Sequence, residues 1–186
     1  RRKLDFMKLG IVLPAPSREG AAEELAGITT RLGSTYSTGS IDVDAAAFKP
    51  ALLSMRGAGG DAASGKVNQH ETELLMRQMR DPAKLAEVWT KWNDYAARMK
   101  PDYVRMVEIA NDGAKELGYP DAGALWRSGY DMLPEDFEAE TDRLWGQVKP
   151  LYSQLHCFVR AELNKKYGDA VAPLDQPIRA DLLGNM

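Results

Sequence analysis

The segment between Pro134 and Gly168 constrains the fold more than any other part of the sequence. Acidic residues follow Pro134, and Lys165 and Lys166 precede Gly168, a pattern typical of the first and last turns of a helix. Pro150 should kink this helix without ending it, because the apolar stripe continues in phase. The stripe, spaced as one face of an α-helix, comprises Phe137, Leu144, Val148, Leu151, Leu155 and Phe158.

Three further segments carry the helical period. One should begin at Pro82, capped by Asp81, and run to about residue 96. A second should run from Pro101 to Leu117 before Gly118, and a weaker third spans about residues 19–38. The apolar face of the second comprises Val104, Val107, Ala114 and Leu117. No run alternates with a period of two for more than a few residues, so the predicted fold class is all-α.

Two segments are predicted to be irregular. Met55–Lys66 is rich in glycine and small residues, which is typical of a flexible surface loop. Its glycines do not fit the spacing of a phosphate-binding Walker motif, and Val67 stands where that motif needs serine or threonine. After Gly168 the chain should be extended until about Leu182.

The composition is that of an ordinary globular protein, with 186 residues, 44% of them hydrophobic. This length favours one domain over two small ones. A net charge of −3, with scattered Lys and Arg, argues against nucleic-acid binding. No apolar run approaches the roughly 20 residues that span a membrane, and no signal-peptide core follows Arg1-Arg2-Lys3. The compartment is therefore unknown, with a periplasmic or secreted location favoured over a cytoplasmic one.

The residues alone do not assign any chemistry. His70-Glu71 begins a helical zinc motif, but Leu74 replaces its second histidine, so no metal site is expected in this chain. His70 is expected to be a solvated residue at the start of a helix. His156 and Cys157 are adjacent on a helix and point about 100° apart, so a packed thiol and a hydrogen-bonded histidine are expected rather than a nucleophile pair. Carboxylate spacing assigns no general acid or base, and no catalytic residue is expected here. The tryptophans interpreted as core residues are Trp89, Trp92 and Trp145.

Six motifs, in order, change this reading. Gly118–Tyr130 resembles the Gly-Tyr-x-Asp-x-Gly-x-x-Trp-Arg-Ser-x-Tyr segment of the angiotensin-converting enzyme family. Pro150–His156 is similar to its Pro-Leu-Tyr-x-x-Leu-His element, and Leu182–Met186 to its Leu-Leu-Gly-Asn-Met. The remaining landmarks are Leu13–Ala15, Ser34–Ser37 and Lys165–Gly168. The resemblance covers the chain from about Leu13 to Met186.

This resemblance implies part of a large, two-lobed helical zinc peptidase that releases C-terminal dipeptides from oligopeptides. The family's zinc ligands, a His-Glu-x-x-His and a later glutamate, are expected beyond Met186, and its lid helices before Arg1. Residues 1–186 would then form a single incomplete segment of a peptidyl-dipeptidase, inactive alone, whose partners are the remainder of the parent and its oligopeptide substrate. The alternative is a helical scaffold or binding module without the zinc chemistry.

The resemblance also implies two anion-site residues. Arg127 matches a chloride-binding arginine, and Tyr167 matches the tyrosine at a second chloride. The alternatives are that Arg127 caps a helix or pairs with a carboxylate, and that Tyr167 is a buried phenol near a helix end.

The sequence departs from the family pattern in two places. No cysteine pair follows Ser34–Ser37, as expected of bacterial members, so that disulfide is missing. Ile178–Asp181 reads Ile-Arg-Ala-Asp where the family usually has Ile-Pro-Ala-His, which puts the local turn in doubt.

Overall fold

The computed structural model describes Met7, residues 10–57 and residues 60–184. The two ends of the chain, including Asn185 and Met186 of the last motif, lie outside the described residues. The helices and strands, in chain order, are α1 (Ala21–Ser37), β1 (Ser40–Asp42), α2 (Ala45–Arg56), β2 (Lys66–Asn68), α3 (Gln69–Gln78), α4 (Pro82–Ala97), α5 (Lys100–Glu116), α6 (Ala122–Arg127), α7 (Pro134–Tyr167) and a 3-10 turn (Ala180–Leu183). The predicted all-α class is confirmed.

The four predicted helices are α1, α4, α5 and α7. α4 begins as expected, since the Asp81 carboxylate accepts hydrogen bonds from the backbone N–H groups of Ala83 and Lys84 at 2.9 and 3.2 Å. α7 is 34 residues long and continues past Pro150. Each start or stop signal acts within one turn of the chain, which is why the sequence locates these helices well.

Several elements were not predicted. α2 and α6 are additional helices, and of α3 only the start, at His70, was expected. β1 and β2 pair antiparallel, with Ile41 opposite Val67. The predicted loop over Met55–Lys66 is wrong at both ends, because Met55 and Arg56 belong to α2 and Lys66 begins β2. The predicted extended segment near Leu182 is instead the 3-10 turn. Each strand has only three residues, too few to show an alternating pattern.

The described residues form two compact units, each built from separate stretches of chain. The first unit comprises the described parts of Arg1–Gly33 and Met99–Tyr152. The second comprises Ser34–Arg98 and the described part of Ser153–Met186.

In the first unit, α1 packs on α5 through Leu25, Ile28, Leu32 and Ile109. The buried face of α5 continues through Ala110, Gly113 and Ala114. The prediction that Val104 and Val107 belong to this face is wrong, since both are about half exposed. Small residues form much of the buried face, because the backbone of Pro14 and Ala15 lies directly against Gly113.

Ion pairs join α1 to α5 across this interface. Arg105 donates to the Glu24 carboxylate at 2.6 and 3.1 Å, and Arg18 donates to the same carboxylate at 2.8 Å. Arg31 makes a two-bond contact with Asp102 at 2.7 and 3.2 Å. These charges are partly exposed, so they favour this register of the two helices more than they add stability.

Replacing Glu24 with glutamine is expected to reduce the sensitivity of the chain to acid. Hydrogen bonds from Arg105, and then from Arg18, lower the pKa of Glu24 from 4.5 to about 2. The ionised carboxylate therefore contributes its full stabilisation above pH 4.5, and that contribution is lost as the pH falls toward 2. Melting temperatures of wild type and Glu24→Gln should differ above pH 4.5 and converge toward pH 2.

Glu23 provides the matched control, because it is an exposed glutamate of the same helix outside this network. Glu23→Gln removes a carboxylate without breaking either arginine contact of Glu24, so above pH 4.5 its melting temperature should change less than that of Glu24→Gln. A gap between wild type and Glu24→Gln that stays constant down to pH 2 would contradict the assignment.

In the second unit, the core joins the strands to α2, α3 and α4, and its largest fully buried side chains include Phe48, Leu52 and Leu75. Trp92 is buried, as predicted, and its ring contacts Tyr36 and Tyr95. The Tyr95 hydroxyl donates to the carbonyl of Thr35 at 2.7 Å.

Arg56 joins the segment between α2 and β2 to α3. Its Nε and Nη2 donate to the Glu71 carboxylate at 2.8 and 3.1 Å. Nη1 donates to the carbonyls of Asp61 and Ser64, and Nη2 also donates to the carbonyl of Lys66. All five N–H groups of the guanidinium are thus used, with only 13% of the side chain exposed.

α7 leaves most of its apolar residues in solvent. The predicted stripe is exposed from Leu144 to Phe158, and the interpretation of Trp145 as a core residue is wrong because its ring is also exposed. The expectation of a packed Cys157 thiol is likewise wrong, since Cys157 is exposed. Among the described helices none is long and apolar enough to cross a membrane.

Candidate anion-binding sites

The motif Gly118–Tyr130 forms the corner between α5 and α6. Gly118 ends α5 with a φ of 93°, a conformation that favours glycine. The Asp121 carboxylate caps α6 by accepting from the N–H of Ala124 at 2.6 Å, and the side chain of Asn111 on α5 accepts from the N–H of Ala122 at 3.0 Å. These contacts fix the direction of α6, and with it the position of Arg127.

Arg127 is the last residue of α6 and is partly buried. A Cβ atom on Gly123 would lie 3.2 Å from its Nη1, so Gly123 leaves room for the guanidinium. None of the ion pairs or side-chain hydrogen bonds among the described residues includes Arg127. A partly buried guanidinium without a carboxylate partner is a suitable donor for an anion.

The neighbouring Trp126 points about 100° away from Arg127 around α6 and makes a contact of its own. Its Nε1 donates to the carbonyl of Val12 at 2.6 Å, while much of its ring remains exposed. The adjacent Leu125 is buried against Ala110 and Ala114 of α5. Within the Trp-Arg-Ser motif, Trp126 therefore anchors α6, and the guanidinium of Arg127 remains available to a ligand.

Tyr167 ends α7 and packs its ring against the core of the second unit. Its hydroxyl makes no hydrogen bond with a described residue. It lines a depression of about 240 Å³ together with three cationic side chains, Arg77, Arg80 and Lys166, and no carboxylate. The Lys166 ammonium lies 5.1 Å from the centre of the Tyr167 ring. The side chains that line this depression are cationic, which suits an anion, although Arg77 also lies 3.8 Å from the carboxylate of Glu73.

The sequence analysis missed the contribution of Arg77 and Arg80. Both lie at or beyond the end of α3, a helix of which the sequence indicated only the start, at His70. Arg80 donates to the carbonyls of Arg77 and Met79 at 2.6 and 2.7 Å, and so caps the end of that helix. Arg127 belongs to the first unit and Tyr167 to the second, so each is a separate candidate site.

The unusual Ile178–Asp181 sequence forms a local ion pair. Arg179 donates to both carboxylate oxygens of Asp181, at 3.1 and 2.7 Å, and to the carbonyl of Pro82 at 3.1 Å. This pairing raises the pKa of Arg179. Arginine and aspartate, which stand where the family usually has proline and histidine, thus bind each other and tie the 3-10 turn to the start of α4.

The described residues do not fit the zinc that the resemblance implies. No group of three or more His, Cys, Asp or Glu among them could hold a metal ion. His70 is exposed in the first turn of α3, and His156 lies on α7 with its Nδ1 3.4 Å from Nη2 of Arg160. The carboxylate of Glu71 accepts hydrogen bonds from Arg56, which lower the pKa of Glu71. The carboxylate of Asp102 accepts hydrogen bonds from Arg31, which lower the pKa of Asp102. These carboxylates have structural roles.

Comparison with known proteins gives one family. The family model described as "Angiotensin-converting enzyme", peptidase M2, matches residues 1–186. The angiotensin-converting enzyme of Theromyzon tessulatum is 30% identical over 187 aligned residues, which cover 99% of this chain and 28% of that protein. That of Mesocricetus auratus is 40% identical over 119 residues, 62% of this chain and 9% of that protein.

A third relative is the angiotensin-converting enzyme-like protein Ace3 of Mus musculus, 41% identical over 119 residues, which cover 62% of this chain and 16% of that protein. The chain thus spans less than a third of the length of each of these curated relatives. The match of the family model extends over all 186 residues, slightly more than the stretch from about Leu13 to Met186 that the ordered motifs cover. The chain therefore belongs to the angiotensin-converting enzyme family of peptidases.

Proposed function

We propose that this chain is part of a zinc-dependent peptidyl-dipeptidase, a peptidase that releases dipeptides from the C-terminus of oligopeptides. The observation that carries the proposal is the match of the peptidase family over residues 1–186. The zinc ligands and the catalytic groups are assigned to the remainder of the longer protein, because the described residues offer no metal-binding cluster. This segment contributes part of the wall of the substrate cleft and two anion sites.

The anion sites are supported by geometry in both units. Arg127 has a guanidinium without a partner among the described residues, at the end of a helix whose direction is fixed by Asp121 and Asn111. Tyr167 has a hydroxyl in a depression lined by Arg77, Arg80 and Lys166. A chloride at the Tyr167 site would offset repulsion among its three cations, and a chloride at Arg127 would pair with the single guanidinium.

The activity is tested on the longer protein with an oligopeptide that has a free C-terminus and with its C-terminally amidated form. We expect dipeptides from the free peptide, a much lower rate on the amidated peptide, and loss of activity in a zinc chelator that added zinc reverses. Release of single amino acids would contradict the proposed reaction. A longer protein without His-Glu-x-x-His and without peptide cleavage would favour the alternative, a helical scaffold.

The anion role of Arg127 is tested by measuring peptide cleavage against chloride concentration. Arg127→Gln should flatten this dependence and lower activity at intermediate chloride by about tenfold, typical of a lost charge-assisted hydrogen bond. The zinc content should not change, because the metal ligands lie elsewhere. Arg143→Gln is the matched control, since Arg143 is exposed and, among the described residues, pairs with Glu140 alone.

A corresponding pair of variants tests Tyr167. Tyr167→Phe removes the hydroxyl and keeps the ring against the core, so any change in the chloride response reports on the hydroxyl. Tyr103→Phe, at an exposed tyrosine of α5, is the control. Normalised chloride curves of Arg127→Gln and Tyr167→Phe that superimpose on wild type would remove the anion assignment and leave the peptidase assignment in place.

A further inference from the structure

Asp121, which caps α6, lies close to the guanidinium of Arg127. The Asp121 Oδ1 and Arg127 Nη1 atoms lie 3.1 and 3.2 Å from the position that a Cβ atom of Gly123 would occupy. The two atoms are therefore at most about 6 Å apart, a separation at which charges still interact. None of the ion pairs among the described residues joins them. Because Gly123 has no side chain, that residue places no side-chain atom between the two charges.

The helix cap holds the Asp121 carboxylate in place. Its Oδ1 accepts a hydrogen bond from the N–H of Ala124 at 2.6 Å, which fixes the carboxylate at the start of α6. Arg127 lies at the end of the same short helix, and both side chains are partly buried. The carboxylate is therefore a fixed negative charge beside Arg127 and not its partner.

Capping of α6 does not require a charged side chain. Asparagine and aspartate are about equally favourable at the first position of a helix, since either side-chain oxygen accepts a backbone N–H. At the same corner, the neutral amide of Asn111 accepts from the N–H of Ala122 at 3.0 Å. The negative charge of Asp121 thus goes beyond what the cap needs, and it acts on whatever binds to Arg127.

We propose that Asp121 lowers the anion affinity of the Arg127 site, so that the site fills at a higher chloride concentration than Arg127 alone would require. This inference rests on the proposed function, in which Arg127 binds chloride. An anion on the guanidinium is attracted by Arg127 and repelled by the nearby carboxylate of Asp121. Repulsion between like charges at this range, in a partly solvated place, weakens binding about fivefold.

The test compares the longer protein with its Asp121→Asn variant, which keeps the cap and removes the charge. The chloride concentration that gives half-maximal peptide cleavage should fall about fivefold, while the rate at saturating chloride stays the same. Asp121→Ser, another uncharged cap, should shift this midpoint in the same direction and serves if the asparagine variant does not fold. Asp112→Asn is the matched control, because Asp112 is exposed on the neighbouring α5 and pairs with Lys115. An unchanged or raised midpoint in Asp121→Asn would overturn the inference.

A double variant shows whether the effect acts through Arg127. In the Arg127→Gln background, Asp121→Asn should leave the chloride response unchanged. A shift that persists there would assign the effect to folding or to the Tyr167 site, and would also overturn the inference.

Broadening of the chlorine NMR signal gives the same midpoints without peptide cleavage. The role of Asp121 is therefore measured even in a protein that is not a peptidase. A wild type that binds chloride through Arg127, with an equal midpoint in Asp121→Asn, refutes this inference alone. A wild type that cleaves peptide and binds no chloride refutes the anion site of the proposed function and this inference with it.

Discussion

Replacing Arg56 with methionine is expected to lower the free energy of unfolding by about 3 kcal/mol, the lower end of the cost of breaking a buried ion pair. Methionine keeps much of the apolar stem and removes all five N–H donors. The partly buried Glu71 carboxylate and Ser64 carbonyl, and the exposed carbonyls of Asp61 and Lys66, then each lose a hydrogen-bond donor. Urea denaturation followed by circular dichroism measures the change.

Two further variants separate the guanidinium from a general effect of charge. Lys49→Met removes an exposed cation of the same helix and should change the free energy of unfolding by less than about 0.5 kcal/mol. Glu71→Leu in the Arg56→Met background should recover part of the loss, because no unpaired carboxylate remains. An Arg56→Met protein as stable as Lys49→Met would show that the hydrogen bonds of Arg56 contribute little.

Adding a single methyl group at Gly113 is expected to cost about 2 kcal/mol, within the range for overpacking a buried site. The new Cβ atom would meet the carbonyl group of Pro14 and lie 2.9 Å from the carbonyl carbon of Ala15. Backbone atoms cannot rotate away as a side chain does, so the segment before α1 must move from α5. A change from glycine to alanine at an open helix position is favourable by about 1 kcal/mol. The close approach of Pro14 and Ala15 is therefore what makes the change at Gly113 unfavourable.

Gly146→Ala is the control for this prediction. Gly146 lies inside α7, and no atom is within 4 Å of the position that its Cβ would occupy. Alanine there should raise the melting temperature slightly because it favours the helix. Thermal unfolding of Gly113→Ala and Gly146→Ala should therefore shift in opposite directions. A stabilised Gly113→Ala protein would mean that Pro14 is not held against α5.

Local chemistry explains which parts of the fold could be predicted. Asp81 and Pro82 start α4 by contacts within one turn, and the sequence shows both residues together. α2 was missed because Pro50 lies inside it and only Phe48 and Leu52 are buried. β1 and β2 were missed because their pairing joins residues more than twenty positions apart, and that information is not local.

The candidate sites also depend partly on local motifs and partly on residues that are distant in the sequence. Arg127 and Tyr167 were identified from their motifs, by resemblance to the family, and the structure adds the surroundings of each. The cations Arg77 and Arg80 come from a different part of the chain than Lys166 and Tyr167, so no motif could place them at one depression. Val104 and Val107 show the opposite error. Their spacing predicted a buried helix face, but both are about half exposed, because an apolar stripe does not show which other element covers it.

The interleaved course of the chain has a consequence for its biosynthesis. Each unit is assembled from two stretches, and the second stretch of the first unit ends at Tyr152. When residues 34–98 have emerged from the ribosome, residues 153–186 have not yet been synthesised. Those later residues include Tyr167 and the 3-10 turn, which contribute part of the core beside α3 and α4. At about 5–20 residues per second, the apolar surface of this nascent segment stays uncovered for several seconds. Chaperones that bind exposed apolar chain would have an opportunity to act during this interval.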